Sequence, residues 1–278
     1  MFTYENIIEE LNNKGYNANL EVVTKNGVEM TSVVIRTEDT STTPNIYIDE
    51  ILERVNNGSM NFDIAITGII NQYKSHKNVS FDVSVLKDKD FVLSNTYIAL
   101  QRESTEELVK RECGFDGIEA YLYMRIEKFE DGIGSIKLNN KLLEYAEVSE
   151  DEIWKAAEEN TFKETTLQPI FSAIGDLIGE DVPEDVLENE SCGLFVLSNK
   201  LMHCGASAIL DKRALKILSE KTHTNKFIMI PSSRHEVLVL PDDENISLES
   251  ITEMVNAVNS NEVEPIDQLG DKAYRIAI

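Results

Sequence analysis

The stretch that decides the fold is Phe227-Ile228-Met229-Ile230-Pro231-Ser232-Ser233-Arg234-His235-Glu236-Val237-Leu238-Val239-Leu240. Two short apolar runs flank a polar segment that opens with a proline, a pattern typical of two strands joined by a turn. The pattern predicts a β-hairpin with strands at 227–230 and 237–240. A second hairpin at about 19–36 is predicted by Asn26-Gly27, because this pair favours the tight turns of hairpins.

The other elements follow from apolar periodicity and turn residues. The predicted helices are 1–15, 49–56, 61–76, 83–88, 149–162, 211–221 and 247–259, and the predicted strands are 46–48, 91–101, 117–128, 133–138, 193–198, 206–210 and 273–277. Helices and hairpins are mixed rather than strictly alternating. We therefore expect an α+β fold in which mixed or antiparallel sheets with β-hairpins are packed by amphipathic helices.

The domain organisation is suggested by length and by one acidic run. The chain has 278 residues, more than the usual single domain of about 100 to 150. The most acidic stretch, between Gly179 and Ser191, has the composition of an exposed loop. We predict an N-terminal α+β region at 1–180, an acidic connecting loop at 181–190 and a C-terminal α+β region at 191–278.

The charge of the chain restricts its partners. Fifty acidic and 26 basic residues give a formal net charge of −24, which repels phosphates and anionic lipids. The longest basic runs, Lys110-Arg111 and Lys212-Arg213, are single pairs among acids and have the character of solvated helix faces. We expect no direct nucleic-acid binding and no membrane binding.

The cysteines and the N-terminus indicate a cytoplasmic protein. Cys113, Cys192 and Cys204 are odd in number and have no CxxC spacing, so neither a disulfide framework nor a zinc ribbon is predicted. The first residues carry acids where a signal peptide has a basic stretch, and no run reaches the ~18 apolar residues of a membrane span.

The polar segment of the hairpin at 227–240 contains the strongest candidate site, formed by Ser232, Ser233, His235 and Glu236. These are the residue types of a hydrolytic triad, but neighbouring side chains of an extended segment point to opposite sides, so Glu236 is badly placed to orient His235. Two interpretations stay open. The hydroxyls close the hairpin by bonding backbone amides, or they form a polar binding pocket with the imidazole.

Asn199 and Lys200 are further candidate binding residues because they belong to an internal echo. Gly134–Leu142 and Gly193–Leu201 each contain a glycine, a short strand and then Asn-Lys-Leu. Asparagine suits a sharp strand exit, so a repeated turn device explains the echo. A ligand cradle that uses both asparagines is the alternative.

Known motifs for catalysis and metal binding are missing. The sequence has no P-loop, no GxGxxG after a strand and no GxSxG. His203-Cys204 and the preceding Cys192 contain metal-ligand residue types, but their spacing completes no four-ligand site, which favours packing of buried cysteines. We expect no catalytic residues, no metal and no cofactor.

The last third of the chain also carries a resemblance. It rests on Val196 to Lys200, Gly205 to Ala208, Ile228 to Val237, Met254 to Asn259 and Tyr274-Arg275. On these residues the chain resembles an uncharacterised bacterial family, domain of unknown function 5688, most specifically over 193–278. The resemblance implies a cytosolic protein of anaerobic Gram-positive bacteria or their mobile elements, and it implies no activity. This chain departs from the family pattern at Ile209-Leu210-Asp211 and at Arg234.

These observations favour a non-enzymatic cytosolic interaction protein that presents an acidic surface to a basic protein partner. One version is a nucleic-acid mimic that acts on a basic defence or restriction protein, because a carboxylate-covered face can occupy a phosphate-binding channel. The alternative is a small-molecule-binding or hydrolytic protein that uses Ser232, Ser233 and His235. The sequence leaves the oligomeric state open.

Overall fold

A computed structural model describes residues 1–37, 44–76, 82–129, 132–178, 193–243 and 245–278. Its contacts divide the chain into two compact units, Met1–Ser84 and Val85–Ile278. This division lies at a position that the sequence did not indicate. The acidic loop predicted at 181–190 lies outside the described residues, so the boundary placed there stays a prediction.

The first unit is a small antiparallel sheet with helices. Its elements are α1 (Tyr4–Asn13), β1 (Ala18–Lys25), β2 (Val28–Ile35), β3 (Ile46–Tyr47), α2 (Asp49–Asn56) and α3 (Phe62–His76), with strand order β1-β2-β3. The predicted Asn-Gly hairpin is confirmed: Lys25 pairs with Val28, and Asn26 and Gly27 both have positive φ, as this tight turn requires. Apolar residues from helices and sheet form one core that includes Ile7, Ile35 and Ile69.

The second unit begins with a four-stranded antiparallel sheet. A 3-10 helix (Val83–Lys87) spans the division and is followed by α4 (Lys89–Asn95), β4 (Thr96–Arg102), β5 (Lys110–Glu112), β6 (Ile118–Phe129) and β7 (Gly132–Lys137). The long strand β6 pairs with β4, β5 and β7. Helix α6 (Glu150–Lys163) packs on β4, where the Thr161 hydroxyl accepts the amide of Ile98 at 2.8 Å.

A five-stranded antiparallel sheet completes the second unit. The remaining elements are α5 (Asn140–Tyr145), β8 (Thr165–Pro169), α7 (Ile170–Ile178), β9 (Phe195–Asn199), a second 3-10 helix (Gly205–Leu210), α8 (Lys212–Thr222), β10 (Lys226–Ile230), β11 (Val237–Pro241), α9 (Leu248–Asn261) and β12 (Tyr274–Ala277). The strand order is β12-β10-β11-β9-β8. Strand β8 precedes the predicted acidic loop and pairs with β9, which follows it.

The fold class is confirmed as α+β with antiparallel sheets built from hairpins and covered by helices. The hairpin that opened the sequence analysis forms as predicted, with Ile230 paired to Leu238 across the Pro231–Glu236 loop. Among the described residues, no helix is long and apolar enough to cross a membrane.

Two strand predictions are wrong. Residues 91–95 are helical because Asp88 caps α4, accepting the amides of Asp90 and Phe91 at 3.0 and 3.1 Å, and this cap outweighs the β-prone residues that follow. Residues 206–210 lie in the second 3-10 helix. Its small buried residues pack closely under the Pro231–Glu236 loop, where Ala206 donates to the carbonyl of Arg234.

Four elements were not predicted: the strands β5 and β8 and the helices α5 and α7. Strand β5 is only three residues long and is mostly polar or charged, so it has no alternation to detect. Helix α5 is begun by Asn139, which accepts the amide of Leu142 at 3.0 Å. The turn predicted from the Asn-Lys-Leu echo is thus the start of a helix.

Candidate functional site

The Pro231–Glu236 loop brings its predicted polar residues together. The hydroxyls of Ser232 and Ser233 both donate to Oε1 of Glu236, at 3.0 and 2.8 Å. The Ser233 hydroxyl also accepts the backbone N–H of His235 at 3.0 Å. Both hydroxyls are therefore bonded within the loop, Ser232 to a carboxylate and Ser233 to the same carboxylate and an amide.

The imidazole of His235 is held by residues outside the loop. Its Nε2 lies 3.1 Å from Oδ1 of Asp267, and its Nδ1 accepts the backbone N–H of Cys204 at 3.2 Å. Because Nδ1 accepts, the proton of the neutral ring is on Nε2 and is donated to Asp267. Burial lowers the pKa of His235 by more than the Asp267 carboxylate raises it, and the charge of Arg234 lowers it further.

Cys204 occupies an unusual backbone position beside this imidazole. It has φ 52° and ψ 30°, the left-handed region, immediately before the second 3-10 helix. Asn199 shapes the preceding turn: its Oδ1 accepts the amides of Leu201 and His203, and its Nδ2 donates to the carbonyl of His203 at 2.8 Å. The turn delivers the Cys204 side chain into the interior, where it is 2% exposed.

The Cys204 sulfur is paired with a cation. Nη2 of Arg234 lies 3.0 Å from Sγ. Burial raises the pKa of the Cys204 thiol, but a hydrogen bond with His203 and the charge of Arg234 lower it by more, so the pKa lies below its usual value. Burial is the largest single influence on Arg234 and lowers its pKa, but Cys204, Tyr121 and Asp267 together raise it above its usual value. The pair is therefore mostly buried, and the Arg234 guanidinium favours the thiolate form of Cys204.

Aromatic residues of β6 close the other side of this pair. Tyr121 and Tyr123 are each 2% exposed and form one cluster with Cys204. Burial raises the pKa of both phenols, and the nearby Cys204 charge raises it further. Nε of Arg234 is buried and has no hydrogen-bond partner among the described residues. We name the set Cys204, Arg234, His235 and Asp267 the thiolate cluster.

The thiolate cluster has the residue types of a cysteine hydrolase but a different arrangement. The His235 nitrogen that faces Cys204 accepts its backbone N–H, and the sulfur is bonded to Arg234. A general base must reach the proton of its nucleophile, and a nucleophile must reach its substrate. The geometry instead ties the Pro231–Glu236 loop to the turn after β9. Among the described residues, no group of three or more His, Cys, Asp and Glu side chains could hold a metal ion.

Sequence reasoning found only part of this cluster. It proposed Ser232, Ser233, His235 and Glu236 from their composition, and it interpreted Cys204 as simple packing. Asp267 was missed because it lies 32 positions from His235. Lys200 is exposed, and no contact of the described residues joins its side chain to the loop. The two echo asparagines are not brought together: Asn140 is the first residue of α5, after the Asn139 cap, and Asn199 closes the turn after β9.

A second candidate feature lies on the surface around α9. Residues 241–271 contain nine acidic side chains and no Lys, Arg or His. We name this range the acidic segment. Three of its acids bind cations or His235 within the second unit: Asp242 with Arg275, Asp267 with His235, and Asp271 with Arg102.

Four other acids of this segment face solvent. Glu249, Glu253, Glu262 and Glu264 are exposed and have no cationic partner in the part of the chain that the structure describes. Apolar residues of α9 are exposed as well: Met254 is 64% and Val258 44% exposed. With 3.6 residues per turn, Met254 and Val258 share one flank of the helix, and Glu249 and Glu253 share the next. We name Glu249, Glu253, Met254 and Val258 the outer face of α9.

Comparisons with known proteins give a single family. A family model described as "Family of unknown function (DUF5688)" matches residues 3–276, almost the whole chain. No curated protein and no solved structure matches the chain.

Proposed function

The chain belongs to this family of unknown function, DUF5688, and we propose that it is a non-enzymatic interaction protein whose acidic surface binds a basic protein partner. The observation that carries the proposal is the outer face of α9. It combines unpaired carboxylates and exposed apolar side chains within a segment that has no cation of its own.

The charge pattern supports a partner of opposite sign. Carboxylates with no neighbouring cation keep their full negative potential within a Debye length of about 8 Å at physiological ionic strength. Complementary potentials accelerate association and exclude partners of like charge. A basic protein gains both effects on this surface, whereas a nucleic acid or an anionic membrane is repelled.

The exposed apolar residues favour a protein partner with an apolar contact of its own. Met254 and Val258 leave apolar area in water on the same helix as the exposed Glu249 and Glu253. Such a patch, rimmed by polar residues, is typical of a protein–protein contact. The partner therefore presents Lys or Arg around an apolar group.

The more specific form of the proposal is a nucleic-acid mimic. In this form the acidic segment occupies the phosphate-binding channel of a basic defence or restriction protein. The setting is the bacterial cytosol and its mobile elements, as the resemblance to the family implies. The exposed glutamates of the outer face take the place of phosphates, and Met254 and Val258 add contacts that a nucleic acid does not make.

The alternative site at Ser232, Ser233 and His235 receives less support. The two hydroxyls donate hydrogen bonds to Glu236, and the imidazole is held between Asp267 and the Cys204 amide. A ligand would have to replace these bonds. The polar groups of the outer face of α9 need no such exchange.

The proposal is tested with the immobilised chain and purified basic proteins, including restriction enzymes and nucleases. The variant Glu249→Gln/Glu253→Gln removes two charges with little change of shape, and we expect it to retain basic proteins several-fold less than the original chain. The control Glu144→Gln/Glu159→Gln changes the net charge equally on exposed positions of α5 and α6 and should retain them unchanged.

Two outcomes contradict the proposal. If both variants lose retention equally, binding reflects total charge and not this surface. If no basic protein is retained and each nuclease stays fully active with excess chain, the protein has no such partner in the panel and the mimic form fails.

A further inference from the structure

The structure brings one member of a basic pair to a second basic pair that lies 102 positions further along the chain. Lys110-Arg111 and Lys212-Arg213 are the only adjacent pairs of Lys or Arg in the sequence. Arg111 in β5 and Lys212 and Arg213 at the start of α8 line one groove of about 540 Å³. Lys110 points elsewhere and pairs with Glu119 at 2.9 Å. A chain of net charge −24 thus gathers three of its cations around a single groove.

The groove has an aromatic wall. Trp154 and Phe162 of α6 line it, together with the aliphatic Leu210. The guanidinium carbon of Arg111 lies 3.6 Å from the centre of the Trp154 ring, a close cation–π contact. Trp154 is 3% exposed, and its indole N–H has no acceptor among the described residues. An unsatisfied buried donor beside a groove calls for an acceptor.

The acids of the groove leave part of this positive charge free. Asp211 forms an ion pair with Arg213, with 2.9 Å between Asp211 Oδ2 and Arg213 Nη2. Asp211 also caps α8, because its Oδ1 accepts the backbone N–H of Arg213 at 3.0 Å. Glu112 lines the groove as well. Glu158 lies only 4.0 Å from Arg111, and both side chains are nearly half exposed, so this pair is weak.

Lys212 and Arg111 are therefore available to a ligand. Lys212 is exposed and has no partner in the described ranges of the chain. Of the three acids that line the groove, Asp211 pairs with Arg213 and Glu158 pairs weakly with Arg111, while acids more than about 8 Å away are screened by salt.

We propose that this groove binds a small organic anion that carries an aromatic ring. The ring lies against the Arg111 guanidinium, which is itself stacked on Trp154, and the carboxylate or phosphate group reaches Lys212. The volume agrees with small-molecule sites, which measure roughly 300 to 1,000 Å³. This site is separate from the outer face of α9 and does not depend on the proposed protein partner.

The experiment uses Trp154 as its own reporter, because it is the sole tryptophan of the chain. Fluorescence of the full chain is titrated with adenosine monophosphate, benzoate, inorganic phosphate and uncharged adenosine, and heats of binding are measured in parallel. We expect at least one aromatic anion to give a saturable change. Inorganic phosphate, which lacks the ring, and adenosine, which lacks the charge, should bind about tenfold or more weakly.

Matched variants on α8 locate the binding. Lys212→Gln should weaken the aromatic anion about tenfold, as expected for loss of one charged hydrogen bond. Lys216→Gln removes the same charge one turn along α8, outside the groove, and should leave affinity unchanged. The proposal is overturned if neither aromatic anion saturates, if adenosine or inorganic phosphate binds as tightly, or if the two lysine variants weaken binding equally.

Discussion

The hairpin at Asn26-Gly27 and the hairpin at Pro231–Glu236 close in different ways. In the first, two residues with positive φ complete the turn, and an added Cβ on Gly27 would have nothing within 4 Å. In the second, a six-residue loop is held by the thiolate cluster, whose members come from separate parts of the second unit. The first turn is encoded locally, whereas the second depends on distant partners.

The largest expected effect comes from filling the space beneath the second hairpin. A Cβ added to Gly205 would lie 2.6 Å from the carbonyl oxygen of His235 and 2.7 Å from the amide of Asn199. Both are backbone atoms and cannot move independently. We expect Gly205→Ala to lower the free energy of unfolding by about 3 kcal/mol. Urea denaturation followed by Trp154 fluorescence measures this, because Trp154 lies in the same unit.

Gly27→Ala is the matched change in the first hairpin. Its cost comes only from the positive φ of 76° and should be about 1 kcal/mol, measured by circular dichroism in urea. Equal losses for the two alanine variants would show that the second hairpin is not packed as closely as the structure indicates.

A smaller effect is expected from removing the cation of the thiolate cluster. Arg234→Met leaves the buried Cys204 sulfur without its guanidinium partner, so the pKa of the thiol rises. We expect a loss of about 2 kcal/mol in the free energy of unfolding, in the range of a charged hydrogen bond. Ultraviolet absorbance of the thiolate should show that Cys204 titrates at higher pH in this variant.

The pairing itself is measured with a double-mutant cycle of Arg234→Met and Cys204→Ala. Additive losses would mean that the guanidinium and the sulfur do not interact. Arg36→Met is a suitable control, because Arg36 pairs with Glu21 on an exposed surface and its loss should stay below about 0.5 kcal/mol.

The smallest expected effect is a dependence on pH. Folding lowers the pKa of His235. The unfolded chain, with an imidazole pKa near 6.5, therefore binds the proton first as the pH falls. This contribution to stability is present at neutral pH and is lost below about pH 6.5. In His235→Gln the free energy of unfolding should fall less steeply as the pH is lowered. The total difference from the original chain should stay below about 1 kcal/mol. An unchanged slope would contradict a neutral His235.

The same contrast explains what could be predicted from the sequence. Hairpins and amphipathic helices were found because neighbouring residues carry their signals, as at Asn26-Gly27 and Ser149. The helix at 91–95 was missed because one capping aspartate overrides a β-prone run. Asp267 and Cys204 were missed as members of the thiolate cluster because nothing near His235 in the sequence points to either residue. The groove lined by Arg111, Lys212 and Arg213 was missed because these residues meet only in the folded unit.

The strand order of the five-stranded sheet also has a consequence for biosynthesis. The sheet of the first unit joins strands that follow one another within the first 47 residues, so it can form while the ribosome is still translating. The larger sheet needs β12 at its edge beside β10, and β12 is reached only at Tyr274. Until then β10 presents unpaired backbone groups, the kind of edge that other chains can pair with. The nascent protein therefore keeps an unpaired strand edge on β10 until β12 has been translated.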